Sequence, residues 1–222
     1  MGYLQDIFPM YNSEMDGSGK GFYKHGLYAD VYEELLTPYI DKEITLVEIG
    51  TGRGGSLQVW KKFLGSKVKI YGIDHKGELF YTEPQIIDNF LADQSNKEAL
   101  EKIPLNNIDV FIDDASHESL PTINTFEVFF PRLNSKGLYI IEDVGTAYRK
   151  DYGGGFRSQK SYMEYFKHIV DILNINEWGE LLPTQKNMRE IIEDLIPINS
   201  MSILALVDKI SFYMGMIVVR KK

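Results

Sequence analysis

Two short acidic stretches, Asp113-Asp114-Ala115-Ser116-His117 and Glu142-Asp143, each close an apolar run and hold the side chains best suited to chemistry. If the two runs are neighbouring strands, Asp114, Glu142 and Asp143 converge on one cleft, where their mutual repulsion is costly unless a cation offsets it. Hard oxygen donors without sulfur point to Mg²⁺ or Ca²⁺, with water or substrate oxygens completing the shell. His117 follows Asp114 closely enough to reach the same space, and an ordinary imidazole pKa of about 6.5 suits a general base at neutral pH. A metal and a histidine together can turn a hydroxyl into a nucleophile. Taken singly, each residue has a plainer role: Asp114 or Ser116 capping a helix, Glu142-Asp143 forming a solvated turn, His117 packing. Their clustering is what marks a site.

A second group surrounds Val47-Glu48-Ile49-Gly50-Thr51-Gly52-Arg53-Gly54-Gly55-Ser56, in which Gly50, Gly52 and Gly55 satisfy G-x-G-x-x-G. Such a loop lets backbone approach either an adenine dinucleotide or S-adenosylmethionine. The acids decide between them. Glu48, inside the end of the strand, favours a cationic or amine-bearing ligand over a pyrophosphate. Asp74, at the end of the second strand, can accept from both ribose hydroxyls, and Asp93 offers a carboxylate where an adenine amino group would lie. No tyrosine has a lysine four residues on, so the proton relay of short-chain dehydrogenases is missing. The balance favours S-adenosylmethionine over NAD.

These residues need elements to hold them. The 222 residues, 44% hydrophobic and 13% aromatic, suffice for one domain with a buried core. Residues 1–27 read as an arm or lid, and 28–222 as a single domain. Helical spacing covers 28–39. Strands at 44–49, 68–74, 86–91, 108–113 and 138–141 then alternate with helices at 54–64, 96–103 and 122–133. This alternation predicts an α/β fold, a Rossmann-like, doubly wound, mostly parallel sheet in order 3-2-1-4-5 with ligands beyond the strands' carboxyl ends. Gly153-Gly154-Gly155 suggests a flexible loop beside those ends, and with the N-terminal glycines Gly17, Gly19 and Gly21 a candidate lid. Helices are expected at 162–173 and 186–195. Strands at 201–207 and 212–219, separated by Asp208-Lys209-Ile210-Ser211, suggest a C-terminal antiparallel hairpin.

Composition excludes several classes. A net charge of -8, without a basic patch, disfavours nucleic acid as a partner. The absence of cysteine removes disulfides, thiolate metal sites and cysteine nucleophiles. The N-terminus has no leader pattern, Asp6 spoils the myristoylation motif after Gly2, and no apolar run reaches the ~18 residues of a membrane helix. A cytoplasmic protein without a membrane partner is expected, and a homo-oligomer stays open.

The order of Val47-Glu48-Ile49-Gly50, Gly54-Gly55-Ser56-Leu57 with Trp60, Tyr71-Gly72-Ile73-Asp74, Asp93-Gln94-Ser95, Ile112-Asp113-Asp114-Ala115-Ser116-His117 and Gly137-Leu138-Tyr139-Ile140-Ile141-Glu142-Asp143 resembles class I methyltransferases that act on macrolide sugars, the macrocin and mycinamicin O-methyltransferase family. The resemblance runs from about Tyr28 to Tyr152 and resumes at 211–221. It implies a class I methyltransferase fold, a place in natural-product biosynthesis, S-adenosylmethionine as donor, Mg²⁺ chelating neighbouring hydroxyls of a sugar or glycosylated small-molecule acceptor, and a histidine base. Carried over, the metal ligands fall on Asp114, Glu142 and Asp143 and the base on His117. Cofactor contacts fall on Glu48, Gly50, Ser56, Asp74, Asp93, Gln94 and Asp113, with Gly52 belonging to the same loop. The family's Asp-Lys, His and Tyr signature is only partly matched by Gly19-Lys20 and His25-Gly26-Leu27-Tyr28, leaving Lys20, His25 and Tyr28 without assigned roles. At this length the additional N-terminal domain of some relatives is not expected. A catechol-type O-methyltransferase, a nicotinamide-dependent oxidoreductase and a non-catalytic adenosylmethionine-binding module are the alternatives.

Overall fold

Strands flanked by helices on both faces must be apolar on both faces, and the central strands here are. In the computed structural model, which describes residues 3–12, 26–52, 54–76, 86–174 and 201–222, β1 (Thr45–Ile49), β2 (Lys69–Asp74), β3 (Ile86–Leu91), β4 (Ile108–Asp113) and β5 (Leu133–Ile141) pair in parallel. β6 (Val207–Tyr213) and β7 (Met216–Lys221) add antiparallel strands, giving the order β3-β2-β1-β4-β5-β7-β6. The expected doubly wound sheet with a C-terminal hairpin is what forms.

Alternation along each strand divides the core in two. On one face Phe111, Tyr139 and Ile217 share a core with α4 (Lys97–Glu101), α5 (Ser119–Phe129) and α6 (Tyr162–Leu173), with Phe111 stacked between Phe129 and Tyr139 at 4.7 and 4.9 Å. On the other, Leu46, Val110 and Ile140 meet α1 (Tyr3–Asn12), α2 (Gly26–Leu36) and α3 (Gly55–Leu64). Trp60 of α3, fully buried, contacts Phe8 edge-on at 5.6 Å and Tyr32 at 4.6 Å. The same parity aims the acids that follow. Glu48 and Glu142 belong to the α2/α3 face, while Asp113 shares the face of Phe111 and Tyr139.

Several elements differ from expectation. Part of the expected arm is helix: Leu4, Ile7 and Phe8 of α1 are buried against α3, contributing roughly 1.5–3 kcal/mol apiece. The helix expected at 122–133 begins at Ser119 and gives way at Phe130-Pro131-Arg132 to a 3₁₀ turn, because Pro131 lacks the N–H a continuing helix needs. β5 starts earlier than expected, at Leu133, with a register shift opposite Ile108 and Val110. In the tail, residues Met201–Leu204 are helical (α7), and 208–211 lie inside β6 rather than in a turn. The turn is Met214-Gly215, where Gly215 supplies a φ of 81°. The glycine loop at 153–155 is tied down: Gly154 N–H donates to Arg149 O (3.0 Å) and Gly155 N–H to Ala147 O (2.9 Å), and a Cβ on Gly154 would lie 2.1 Å from Ala147 O. Arg53, the glycines at 17, 19 and 21, Lys20, His25 and the helix expected at 186–195 lie outside the described residues.

Candidate active site

Backbone bonds staple the strand ends together. Asp114 N–H donates to Ile49 O and Glu142 N–H to Asp113 O, each at 3.0 Å, so residues just beyond β1, β4 and β5 sit side by side. His117 and Asp143 both adopt left-handed backbone, with φ of 56° and 51°. For residues other than glycine this costs about 1–3 kcal/mol and persists only where the surroundings enforce it. The strain turns both side chains toward Asp114. His117 Nε2 lies 3.9 Å from Asp114 Oδ1 and 3.8 Å from Asp143 Oδ2, and one donor atom from each of the three falls within 4.8 Å of the others. Two carboxylate oxygens and an imidazole nitrogen at this separation match the span of one divalent cation, about 4–5 Å across for metal–ligand distances of 2.0–2.6 Å.

Glu142, expected beside them as a ligand, is not in that group. It is 1% exposed, faces α2, and accepts a hydrogen bond from the buried Tyr32 hydroxyl. Burial first, and then the Glu142 carboxylate, hold Tyr32 well above the usual phenol range, so it stays a donor. One helical turn earlier, the Tyr28 hydroxyl lies 3.0 Å from Asp143 Oδ1 and 2.9 Å from Gly215 O. Burial, reinforced by Asp143, raises its pKa too. Sequence reasoning assigned these tyrosines no role. The available signal was their spacing of four on one helix, which puts both hydroxyls on the face that meets the acids.

The cofactor-loop residues divide between two layers. A cavity of about 400 Å³ opens beyond β1, β2 and β3 and is lined by Gly50, Gly52, Asp74, Asp93, Gln94 and Asp114 among others. Gly52 N–H donates to Asp74 Oδ2 at 2.9 Å, and Lys76 N–H caps the other oxygen at 2.9 Å. Asp93 accepts from the Ser95 amide and hydroxyl, which hold its carboxyl below the usual range. Gln94 bridges strands: its Nε2 donates to Asp113 Oδ1 at 2.6 Å, and its Oε1 accepts from Ser116 N–H and Oγ. His75, not anticipated, also lines the cavity, with Nδ1 3.4 Å from Asp74 Oδ1.

The remaining expected contacts lie behind this lining. Glu48 is fully buried and accepts from Ser56 Oγ (2.6 Å) and Trp60 Nε1 (2.5 Å). Asp113 is buried on the opposite face, bonded by Gln94 and by Tyr139 at 3.2 Å, and its burial outweighs those bonds to push its pKa up to about 7. Both acids support the cavity from beneath.

A larger cavity of about 890 Å³ opens on the other side of the acidic group. Asp143, Tyr28, Thr146, Tyr148, Phe212 and Met214 contribute to its wall, which is mainly apolar. Asp114 lines the smaller cavity and Asp143 the larger, so the Asp114–His117–Asp143 group stands between two spaces that could hold two reactants. No helix among the described residues is long and apolar enough to cross a membrane.

Residues 47–144, which run from β1 past β5, match the family model for a methyltransferase domain. The 8-demethyl-8-alpha-L-rhamnosyl tetracenomycin-C 2'-O-methyltransferase of Streptomyces olivaceus is 34% identical over 161 residues, covering 68% of this chain and 42% of the relative. The mycinamicin VI 2''-O-methyltransferase of Micromonospora griseorubida is 30% identical over 168 residues, covering 70% of this chain and 41% of the relative. The chain thus spans about two fifths of the length of these curated relatives. Among solved structures, MycE methyltransferase from the mycinamycin biosynthetic pathway, in complex with Mg, SAH and mycinamycin VI, superposes with a TM-score of 0.75 at 24% identity over 98% of this chain and 54% of that one. Residues 47–144 are therefore similar to methyltransferase domains, the chain shares the fold of a class I methyltransferase, and over about two fifths of their length it is similar to sugar O-methyltransferases.

Proposed function

We propose that the protein is an S-adenosylmethionine- and Mg²⁺-dependent O-methyltransferase acting on a hydroxyl of a sugar or glycosylated small molecule. The observation that carries this reading is the Asp114–His117–Asp143 group standing between a small polar cavity at the glycine loop and a larger apolar one. The names of the relatives, one an O-methyltransferase of a rhamnosyl tetracenomycin and the other of mycinamicin VI, support the acceptor class.

In this reading the cofactor occupies the smaller cavity, with Asp74 and Asp93 recognising ribose and adenine, while Glu48 and Ser56 hold the glycine loop from behind. Gly50 lets that loop cross close over the Asp114 carbonyl. Gln94 and Asp113 brace the cavity floor. Asp114 and Asp143 hold Mg²⁺, and Glu142, fixed by Tyr32, contributes its charge from beneath or as a third ligand. When bound, S-adenosylmethionine supplies the methyl group and Mg²⁺ the positive charge that acidifies an acceptor hydroxyl. His117 takes up the hydroxyl proton at Nε2, and the walls of the two cavities orient the acceptor and exclude water.

One observation favours a second role for His117: its Nε2 belongs to the same donor group as the carboxylates. Calorimetric Mg²⁺ titration of His117→Ala separates the two. As a base, His117 is dispensable for Mg²⁺ binding but needed for turnover; as a ligand, its loss weakens both. The overall reading is tested by incubation with S-adenosylmethionine and Mg²⁺, offering mycinamicin VI and the rhamnosylated tetracenomycin against a simple catechol. Methyl transfer to a glycoside is expected, and transfer to the catechol alone would sink the sugar assignment.

A further inference from the structure

Left-handed backbone at both His117 and Asp143 needs something to enforce it, and one side chain reaches the two carbonyls. Thr146, in the 3₁₀ segment Val144–Tyr148, places Oγ1 3.0 Å from His117 O and 2.9 Å from Asp143 O. Contact with the carbonyl three residues back is ordinary local bonding for a threonine. The His117 contact spans 29 residues and joins the loop after β4 to the loop after β5, which local bonding does not require. Tyr162, fully buried at the start of α6, has its hydroxyl 3.1 Å from Thr146 Oγ1. A hydroxyl oxygen keeps acceptor capacity while it donates, so Tyr162 can donate to Thr146 as Thr146 shares its single O–H between the two carbonyls. Ser161, the neighbouring N-cap, donates to Ala147 O at 2.7 Å and fixes the same segment a second time.

Resting on the function proposed above, we infer that Thr146 is a positioning residue: its hydroxyl, oriented by Tyr162, locks the His117 and Asp143 backbones in one relative placement and so sets the spacing of the proton acceptor and the metal ligand. Neither its type nor its position belongs to the acidic motifs; Thr146 also contributes to the wall of the larger cavity, but its positioning role runs through the two residues its hydroxyl ties together.

The test is Mg²⁺ titration by calorimetry in the presence of S-adenosylhomocysteine, on the full chain and on T146V, T146S and Y162F. Valine keeps the volume and removes the hydroxyl, whereas serine keeps the hydroxyl. T146V is expected to weaken Mg²⁺ affinity about ten-fold or more, T146S to stay within about two-fold of the parent, and Y162F to fall between them, in line with the usual effect of outer-sphere partners. With a glycoside that is turned over, kcat of T146V falls while KM for S-adenosylmethionine holds. Mg²⁺ affinity of T146V equal to the parent's overturns the inference. Equal losses in T146V and T146S overturn it too, because packing rather than the hydroxyl would then be responsible. Should T146V not fold, an unchanged Y162F overturns it and a weakened one supports it. D143N separates this failure from failure of the site: unchanged Mg²⁺ binding in D143N removes the metal site itself, whereas loss in D143N with a parent-like T146V removes only the role of Thr146.

Discussion

At the scale of single residues, the glycines of the nucleotide-type loop serve different physical ends although one motif contains them. A Cβ on Gly50 would sit 2.1 Å from Asp114 O at a φ of 90°, so this glycine exists to let the loop after β1 cross the loop after β4. Gly52 has φ of 53° and nothing within 4 Å of a would-be Cβ, so a methyl there points into open cavity. Gly50→Ala is therefore expected to lower the melting temperature steeply. Gly52→Ala should cost only about 1–2 kcal/mol of stability yet lose most of its affinity for S-adenosylhomocysteine. Thermal melts with calorimetry on both variants check the pair, and equal affinity loss without a stability difference would refute the division. The motif was legible in the sequence. Its internal division was not, because it depends on a chain crossing between loops 64 residues apart (114 minus 50). The orientation of Glu48 and Asp113 was hidden for a related reason. Both stand at strand ends, but side-chain parity sends each beneath the cavity, onto opposite faces.

At the scale of elements, α2 acts as a buttress for the acidic end of β5. Its Tyr28 and Tyr32 donate to Asp143 and Glu142, two successive residues. Tyr32 is the more consequential, since Glu142 is buried and a carboxylate losing a donor there keeps its desolvation cost. Tyr32→Phe is expected to destabilise the protein by about 1.5–3 kcal/mol, the usual range for a hydrogen bond to a charged group. Tyr28→Phe, whose partner Asp143 is 41% exposed, should cost less. Urea unfolding of the two variants gives the comparison, and a larger loss from Tyr28→Phe would contradict it. The central strands were readable because burial on both faces leaves continuous apolar runs. β6 resembles a turn in the sequence for the converse reason: as an edge strand it is only partly covered, with Lys209 exposed, Asp208, Ile210 and Ser211 half-buried and a register shift between Val207 and Lys209, so no apolar run marks it. In α1 the stripe of Leu4, Ile7 and Phe8 is short and followed by Pro9, and its docking on Trp60 of α3 and its bonds to α2 make it structural.

At the scale of the whole molecule, the sheet gathers negative charge at one end and leaves it there. Of the net -8, Asp114, Asp143 and Glu142 meet at the ends of β4 and β5, with Glu48 close enough that it and Asp114 act on the same Tyr32 hydroxyl. Concentrating carboxylates raises the energy of the metal-free fold through like-charge repulsion, an expense that a binding site carries and a purely structural cluster would shed. A cation that binds only the folded state returns stability in proportion to ln(1 + [L]/Kd), about 2.7 kcal/mol at 100 Kd. Substituting one acid should act oppositely in the two states. Asp114→Asn is expected to melt at or above the parent temperature after treatment with a chelator, because it relieves repulsion, and to gain little when Mg²⁺ is added, whereas the parent gains several degrees. S-adenosylhomocysteine should still stabilise the variant, since Asp74, Asp93 and Gln94 of the smaller cavity are untouched. Differential scanning calorimetry of the two proteins, with chelator, with Mg²⁺ and with S-adenosylhomocysteine, decides the matter. A variant that melts well below the parent in chelator and still responds fully to Mg²⁺ would show that the acidic cluster serves the fold and that the cation binds elsewhere.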